Sequence, residues 1–489
     1  MTDIYFSDFF RISPEIVEEY GAFDISLVND LPLFVDPFLL FNSEDPQYQA
    51  LHGAIIRYMR FLKDMSLSGP IPEPLLDVWF TFPEVEQNWL GFSLSGNHGH
   101  GLGPDFARAL NSNLCNVFKD FGDETISHGS HLEKLCLIRD GVGRDNISDF
   151  ATNLIKGYLA TYTQDFARAH LSPMQRRSVP VAKVQFNYET RSWITRTYEL
   201  PFFDGDWILL TPKDILTKDE AWINRPDLLD RLPELTNALP DPVLRAQINE
   251  YLLRIIPDEF EATKKQRREG ASRVIERFPQ VLDYYIRQKE NLGDRAVAIA
   301  AERVRDVETR LVAQVRQLVA EFLEPSGFYR ISGNRYSEAR ERLLYLKDVI
   351  ENKGGHRIFY VNGEPIQRER DLQILYRLTW YATPSDVSRE VNDGRGPADF
   401  KIARGAKNKT IVEFKLAKNS QLERNLAKQA EVYEKASDAT HPSLKAILYF
   451  DDYERERVRE ILERLELVES PHIVLIDASA ENKPTGSRA

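Results

Sequence analysis

Gly394-Arg-Gly-Pro-Ala-Asp399, Val412-Glu413-Phe414-Lys415 and Gln429-Ala-Glu-Val-Tyr433 are the stretches on which the reading of this chain turns. The first two lie in alternating segments. Ala398 to Ala403 and Thr410 to Ala417 read as strands joined by a turn around Gly405 to Lys409. Side chains alternate along a strand, so Glu413 and Lys415 point to one face and Val412, Phe414 and Leu416 to the other. A hairpin of this length sets Asp399 beside Glu413, crowding two carboxylates and an amine at one end of a sheet. Neighbouring carboxylates repel and raise one another's pKa, and a divalent cation relieves that repulsion. Mg2+ prefers a few carboxylate oxygens together with waters and substrate phosphate oxygens. A bound ion acidifies water and polarises a phosphate, while a lysine orients or deprotonates the attacking water or offsets charge. Together these are the requirements for hydrolysing a phosphodiester.

The elements around this stretch alternate regularly. Pro365 to Tyr381 reads as a helix with proline in its first turn. A strand from Asp386 to Val391 precedes the two already named. A helix from Gln421 to Ala436 follows, then a strand from Leu444 to Phe450, a helix from Tyr453 to Leu465 and a strand from Ile473 to Ile476. The order αβββαβαβ describes a compact α/β domain with a mixed sheet.

These residues resemble the PD-(D/E)XK nucleases, the restriction-endonuclease-like superfamily. Its members carry an acid and then (Asp/Glu)-x-Lys on adjacent strands of an αβββαβ core. Asp399 matches the first acid, Glu413 the second and Lys415 the lysine, with Pro397 one residue further from the acid than in the family pattern. The resemblance implies an acidic residue on the first helix. Glu369 is the best match, with Glu364 and Asp371 as alternatives. Gln429 and Tyr433 resemble the Gln-x-x-x-Tyr element of the helicase-linked exonuclease branch, and with Leu422 and Leu426 they fall on one helical stripe. The resemblance spans roughly the last 130 residues. It implies a Mg2+- or Mn2+-dependent nuclease acting on DNA, with Asp399 and Glu413 as metal ligands and Gln429 and Tyr433 positioning the strand or the lysine. By analogy it also suggests a regulated effector of prokaryotic defence, answering a phage-derived or protein trigger and acting as a homodimer or higher homo-oligomer. The alternatives are a domain that grips nucleic acid or a partner without cutting, and a nuclease directed at RNA, since nothing in the motif reads the 2′-hydroxyl.

Charge agrees with a nucleic-acid partner locally. The 489-residue chain has net charge −12, which argues against coating nucleic acid non-specifically. From Lys401 to Gln429, however, eight lysines and arginines face two glutamates. Among them Lys418, Arg424 and Lys428 are candidate phosphate contacts. A second basic run, from Lys264 to Arg277, is interleaved with Glu269 and Glu276 and reads as a solvated helix face.

The rest of the chain is less specific. Residues 1–225 mix strands and helices as an α+β region. Phe23 to Val28 and Leu31 to Val35 read as a hairpin around Asn29-Asp30, and Val181 to Phe186 and Trp193 to Leu200 as alternating strands. Residues 226–350 read as a helical linker or oligomerisation region, including a long helix from Asp294 to about Leu323, and 355–489 as the nuclease domain. His98, His100, His128 and His131 lack metal-ligand spacing. Asp145 or Ser148 is placed to cap the helix from Phe150. Two cysteines, no signal-peptide pattern and no apolar run near the roughly 18–20 residues of a membrane helix point to a cytoplasmic protein away from the membrane.

Overall fold

A computed structural model describes residues 4–480 except 29, 92–102, 117–120, 139–143, 219, 256–262, 324–334, 362, 367–371, 374–375, 377–385, 393–396, 404–408 and 428–442. Its architecture is a mixed α/β N-terminal region, a helical middle and a C-terminal α/β region with a mixed sheet.

The N-terminal region is organised by two long helices and a hairpin. Helix α1 (Pro46–Ser68) begins where the Asp45 side chain accepts the Gln47 N–H at 2.8 Å, with proline in the first turn. It buries Ile55, Tyr58, Met59 and Leu62, a stripe at helical spacing. Helix α2 (Arg144–His170) packs against strands β1 (Arg176–Asn187) and β2 (Ser192–Phe203), an antiparallel pair with a bulge between Val181 and Gln185. Gly157 of α2 makes that packing close, since a Cβ there would come within 2.4 Å of the Val184 carbonyl oxygen.

Three sequence expectations fail here. Phe23 to Val35 is not a hairpin. Ser26 bridges to Tyr5, Leu31 bridges to Leu90, and Phe34–Val35 pairs with Leu216–Thr217. Phe23, Ile25 and Leu27, and likewise Leu31, Leu33 and Val35, are all buried, as are Ser26, Val28 and Phe34 between them. A segment whose apolar residues are buried on both sides takes its partners from the surrounding core instead of folding on itself. Trp207 to Leu210 reads from its sequence as a short apolar strand, yet only Trp207 is in one, Asp206–Trp207, while Ile208 to Leu210 run buried and irregular. Ser148 does not cap a helix start. It lies inside α2, where its hydroxyl accepts the Val35 N–H at 3.0 Å.

The long helix of the middle region runs as Gly293–Val307 and continues to Leu323 through two π-helical turns, Glu308–Ala313 and Val319–Leu323. Its stripe of Ala296, Ala300, Val304, Val307, Leu311, Val315 and Leu318 is buried. Tyr5 donates its hydroxyl to the Leu311 carbonyl, and Arg316 pairs with Asp8 at 3.2 Å and Asp24 at 3.0 Å. The helix is therefore a spine of the chain's own core, where sequence allowed a spacer or dimerising arm. The basic helix Lys264–Arg277 is the solvated face expected, with Arg268 paired to Asp230 at 2.6 Å and Lys265 to Glu269 at 3.8 Å.

After helix α3 (Arg335–Asn352) the chain forms a five-stranded sheet. Its strands are β3 (Asp386–Asn392), β4 (Pro397–Ala403), β5 (Lys409–Leu416), β6 (Leu444–Tyr449) and β7 (Ile473–Asp477), in the spatial order β7-β6-β5-β4-β3. The first three are an antiparallel meander, while β5, β6 and β7 run parallel. Helix α4 (Asp452–Arg464) makes the crossover between β6 and β7 that parallel strands require. Pro365 does not open a helix. Glu364–Pro365 pairs with Tyr360–Val361 as a short antiparallel ribbon, and helix is found further on, at 372, 373 and 376. Glu364 is therefore not a first-helix acid.

Candidate active site on the C-terminal sheet

Strand β5 sorts its side chains by alternation. Val412, Phe414 and Leu416 enter the main core with Ala446, Leu448, Ile476 and Leu346 of α3, and the Tyr376 ring lies 4.8 Å from that of Phe414. Glu413 and Lys415 point to the other face, where Ile447 packs with Leu422, Leu426, Val458 and Ile461 in a second, smaller cluster. Leu422 and Leu426 thus turn their stripe to the sheet, as the helical spacing predicts.

The register sets the site. On one side of β5, Val412 is opposite Phe400 and Ile411 opposite Lys401, so the next step along the ladder places Asp399 at the position facing Glu413. Residues directly opposite each other in such a pair have Cβ atoms about 4.5–5.5 Å apart. The side chains of 386–403 lie outside the described residues. On the other side of β5, Glu413 is opposite Lys445. The row Asp399, Glu413, Lys445 therefore crosses three strands, with Lys415 two residues along from Glu413. Between β3 and β4, Arg389 opposes Phe400 and Val391 opposes Ala398, so Glu390 falls in line with Asp399.

Glu413 is 2% exposed, Lys445 6% and Lys415 9%. Burying ionic groups is tolerated only when they are grouped so that opposite charges and hydrogen bonds compensate for lost hydration. Lys445 and Glu390 were not singled out from sequence. Lys445 is a lone cation in the apolar run Leu444 to Phe450, and that was its only signal. Its alignment with Glu413 depends on a parallel register that sequence does not reveal.

The remaining predicted residues fall as follows. The Lys418 ammonium donates to the Ile366 carbonyl at 2.6 Å and lies 5.7 Å from the centre of the Phe450 ring. Partial burial holds its pKa below the usual lysine value, against the opposing pull of Glu454. One of its donors is therefore engaged with the fold. Arg424 is exposed on the helix that follows β5, beside Glu423, which pairs with Arg464 at 3.1 Å. Glu369, Lys428, Gln429 and Tyr433, like His98 and His100, lie outside the described residues.

Of the two carboxylate residues that a shared divalent cation would need, Glu413 has its side chain described and buried, and Asp399 is placed by the backbone register alone. Among the described residues no group of three or more His, Cys, Asp and Glu is arranged to hold a metal. His131 has a structural role. Its Nε2 is 2.9 Å from Glu290 Oε1, and its ring lies against those of Phe38 and Phe41. Among the described residues, no helix is long and apolar enough to cross a membrane.

Residues 11–224 match a family model described as a domain of unknown function, DUF8370, and residues 335–452 match another so described, DUF8371. Over 136 residues the chain is 25% identical to the ribosomal RNA small subunit methyltransferase H of Shewanella oneidensis, an alignment covering 26% of this chain and 42% of that protein. The chain thus spans about two fifths of the length of that relative. No solved structure matches the chain.

Proposed function

We propose that the C-terminal region is a restriction-endonuclease-like, PD-(D/E)XK nuclease domain that hydrolyses phosphodiester bonds in DNA. The observation that carries this reading is the ladder position of Asp399 opposite Glu413, with Lys415 on the same strand face as Glu413. The antiparallel meander followed by a parallel strand supports the same fold. In this reading Asp399 and Glu413 hold Mg2+ or Mn2+. The ion, when bound, supplies an acidified water and charge neutralisation at the scissile phosphate. Lys415 orients that water and offsets charge as the phosphate is attacked. Arg424 and the remaining donors of Lys418 neutralise flanking phosphates, and Lys428 is assigned the same role from sequence. Glu369, Gln429 and Tyr433 complete the assignment by resemblance. The N-terminal and middle regions then sense a trigger or restrain the nuclease, in a homo-oligomeric, cytoplasmic effector of defence against foreign DNA.

The burial of Glu413 and Lys415 favours a second reading, in which the domain keeps the fold and grips nucleic acid without cutting it. One experiment separates the two. Purified full-length protein is incubated with single- and double-stranded DNA and with RNA, in Mg2+, Mn2+ or EDTA. Cleavage that needs the metal and disappears in Asp399→Asn, Glu413→Gln and Lys415→Met supports the nuclease. Binding with no metal-dependent cleavage on any substrate supports the non-cutting reading. Cutting of RNA alone moves the substrate and keeps the chemistry.

A further inference from the structure

The N-terminal region holds a cleft of about 500 Å3 between α1, α2 and the β1–β2 hairpin, far along the chain from the strands just described. We propose that it binds a free nucleotide. The proposal is independent of the nuclease reading.

The floor is aromatic and pre-formed. The Tyr58 ring lies 4.9 Å from Phe186 and 5.1 Å from Trp193, and Phe186 and Trp193 are 5.1 Å apart. Tyr58 and Phe186 are buried, and the Trp193 indole N–H donates to the Val78 carbonyl at 3.1 Å, which fixes its ring. Tyr58 and Phe186 back this floor from the core, and part-exposed Trp193 offers a planar ring a surface to stack on, at little entropic loss.

The rim is cationic. The Arg57 guanidinium sits 4.1 Å over the Tyr188 ring, and Arg196 donates to Gln185 Oε1 at 2.6 Å. All four line the cleft, and no carboxylate is among the described residues that do. In a chain with 75 acidic and 63 basic residues, a cleft with two arginines and no acid selects for an anionic ligand. The Gln185 amide N–H groups add donors suited to the edge of a base, and the Thr161 hydroxyl, which donates to the Gly157 carbonyl at 3.0 Å, adds an acceptor.

Gly53 points the same way. It stands inside the 23-residue helix α1, where glycine weakens a helix, yet a Cβ built on it meets nothing within 4 Å. Packing therefore does not require glycine at 53, in contrast to Gly157. Space at Gly53 keeps the cleft open on the α1 side. The cavity falls within the roughly 300–1,000 Å3 of small-ligand sites, so one nucleotide suits it better than a strand. A base on the aromatic floor and phosphates at Arg57 and Arg196 use every feature named.

The test is calorimetric titration of full-length protein with ATP, GTP, CTP and UTP, and in separate arms with inorganic triphosphate and a short single-stranded oligonucleotide. Saturable binding of at least one nucleotide is expected. Arg57→Ala, a change at an exposed position, should weaken it about tenfold or more, the usual range for losing one stacking or charge contact. Gly53→Trp should abolish it by filling the cleft. Arg277→Ala, an exposed arginine of the basic helix, should leave it unchanged. The proposal is overturned if no nucleotide binds, if Arg57→Ala binds like wild type, if inorganic triphosphate binds as tightly as the nucleotides, or if only the oligonucleotide binds.

Discussion

Glu290 and Glu413 are both buried carboxylates, one at the end of a helix in the middle region and one in the C-terminal sheet, and their surroundings differ in kind. Glu290 accepts the His128 N–H at 2.7 Å and the Gly129 N–H at 2.9 Å, and its Oε1 lies 2.9 Å from His131 Nε2. Burial pushes its carboxyl up in pKa, but these donors more than offset that, and it sits below the usual glutamate value. Glu413 is placed in a row with a second carboxylate residue on one side and a lysine on the other. The first arrangement satisfies a charge and ties residues 128–131 to a helix some 160 positions away in sequence. The second sets two carboxylate residues at facing ladder positions, with Lys445 across from Glu413 on the other side, and a facing pair of acids is something stability alone does not call for. A buried acid whose partners are donors belongs to the architecture. In the function proposed above, the acid facing another acid belongs to the chemistry.

The sharpest break of this comparison exchanges the roles. Glu413→Gln keeps volume and removes charge, and it should reduce metal-dependent cleavage by orders of magnitude while the protein stays folded by circular dichroism. Glu290→Ala should do the reverse. It leaves two N–H groups and a buried imidazole without their acceptor, which costs about 3–5 kcal/mol in urea denaturation, with cleavage per folded molecule unchanged. If Glu413→Gln unfolds the protein and Glu290→Ala does not, the distinction collapses.

A third buried acid sharpens the contrast through pH. Glu133 is buried beside Asp36, and burial first, then the Asp36 charge, raise its pKa well above the usual value. A carboxyl that is raised in the folded state contributes stability that is fully present below its unfolded pKa, and loses it as pH rises toward the folded value. Glu290, which is lowered, contributes stability above its unfolded pKa and loses it as pH falls. Glu133→Gln should therefore flatten the decline of stability on the alkaline side of the ordinary glutamate pKa of 4.5, leaving the acid limb as in wild type. Denaturation midpoints across that range read this directly. The smallest effect is expected at Arg424, exposed beside the sheet. Arg424→Ala should lower DNA affinity modestly and reduce the salt slope of binding by about one.

How much of this was legible depends on the kind of pattern each segment carries. The strands around Glu413 alternate, so their faces, and the separation of Phe414 from Lys415, could be read directly from sequence. Phe23 to Leu27 alternates as well, so a strand-like segment is legible there, but its partners, Tyr5 for Ser26 and Leu216–Thr217 for Phe34–Val35, are distant segments that no local pattern names. The long helix from Gly293 was read in place, but whether its stripe met solvent, another copy or its own core was not. Lys445 was passed over because a single lysine in an apolar strand gains meaning only from its neighbour.

By itself the sequence determined which residues share a face, since alternation and the 3.6-residue repeat are local properties of the backbone, and it determined that acids and a lysine lie near one turn. Only the tertiary structure decided the register that puts Asp399 opposite Glu413 and Lys445 on its far side, the burial of Glu413 and Lys445, and the aromatic cleft that brings α1 to a hairpin more than a hundred residues further on. The physical reason is that register and cavities arise from long-range packing, where distant segments compete to cover the same apolar surface.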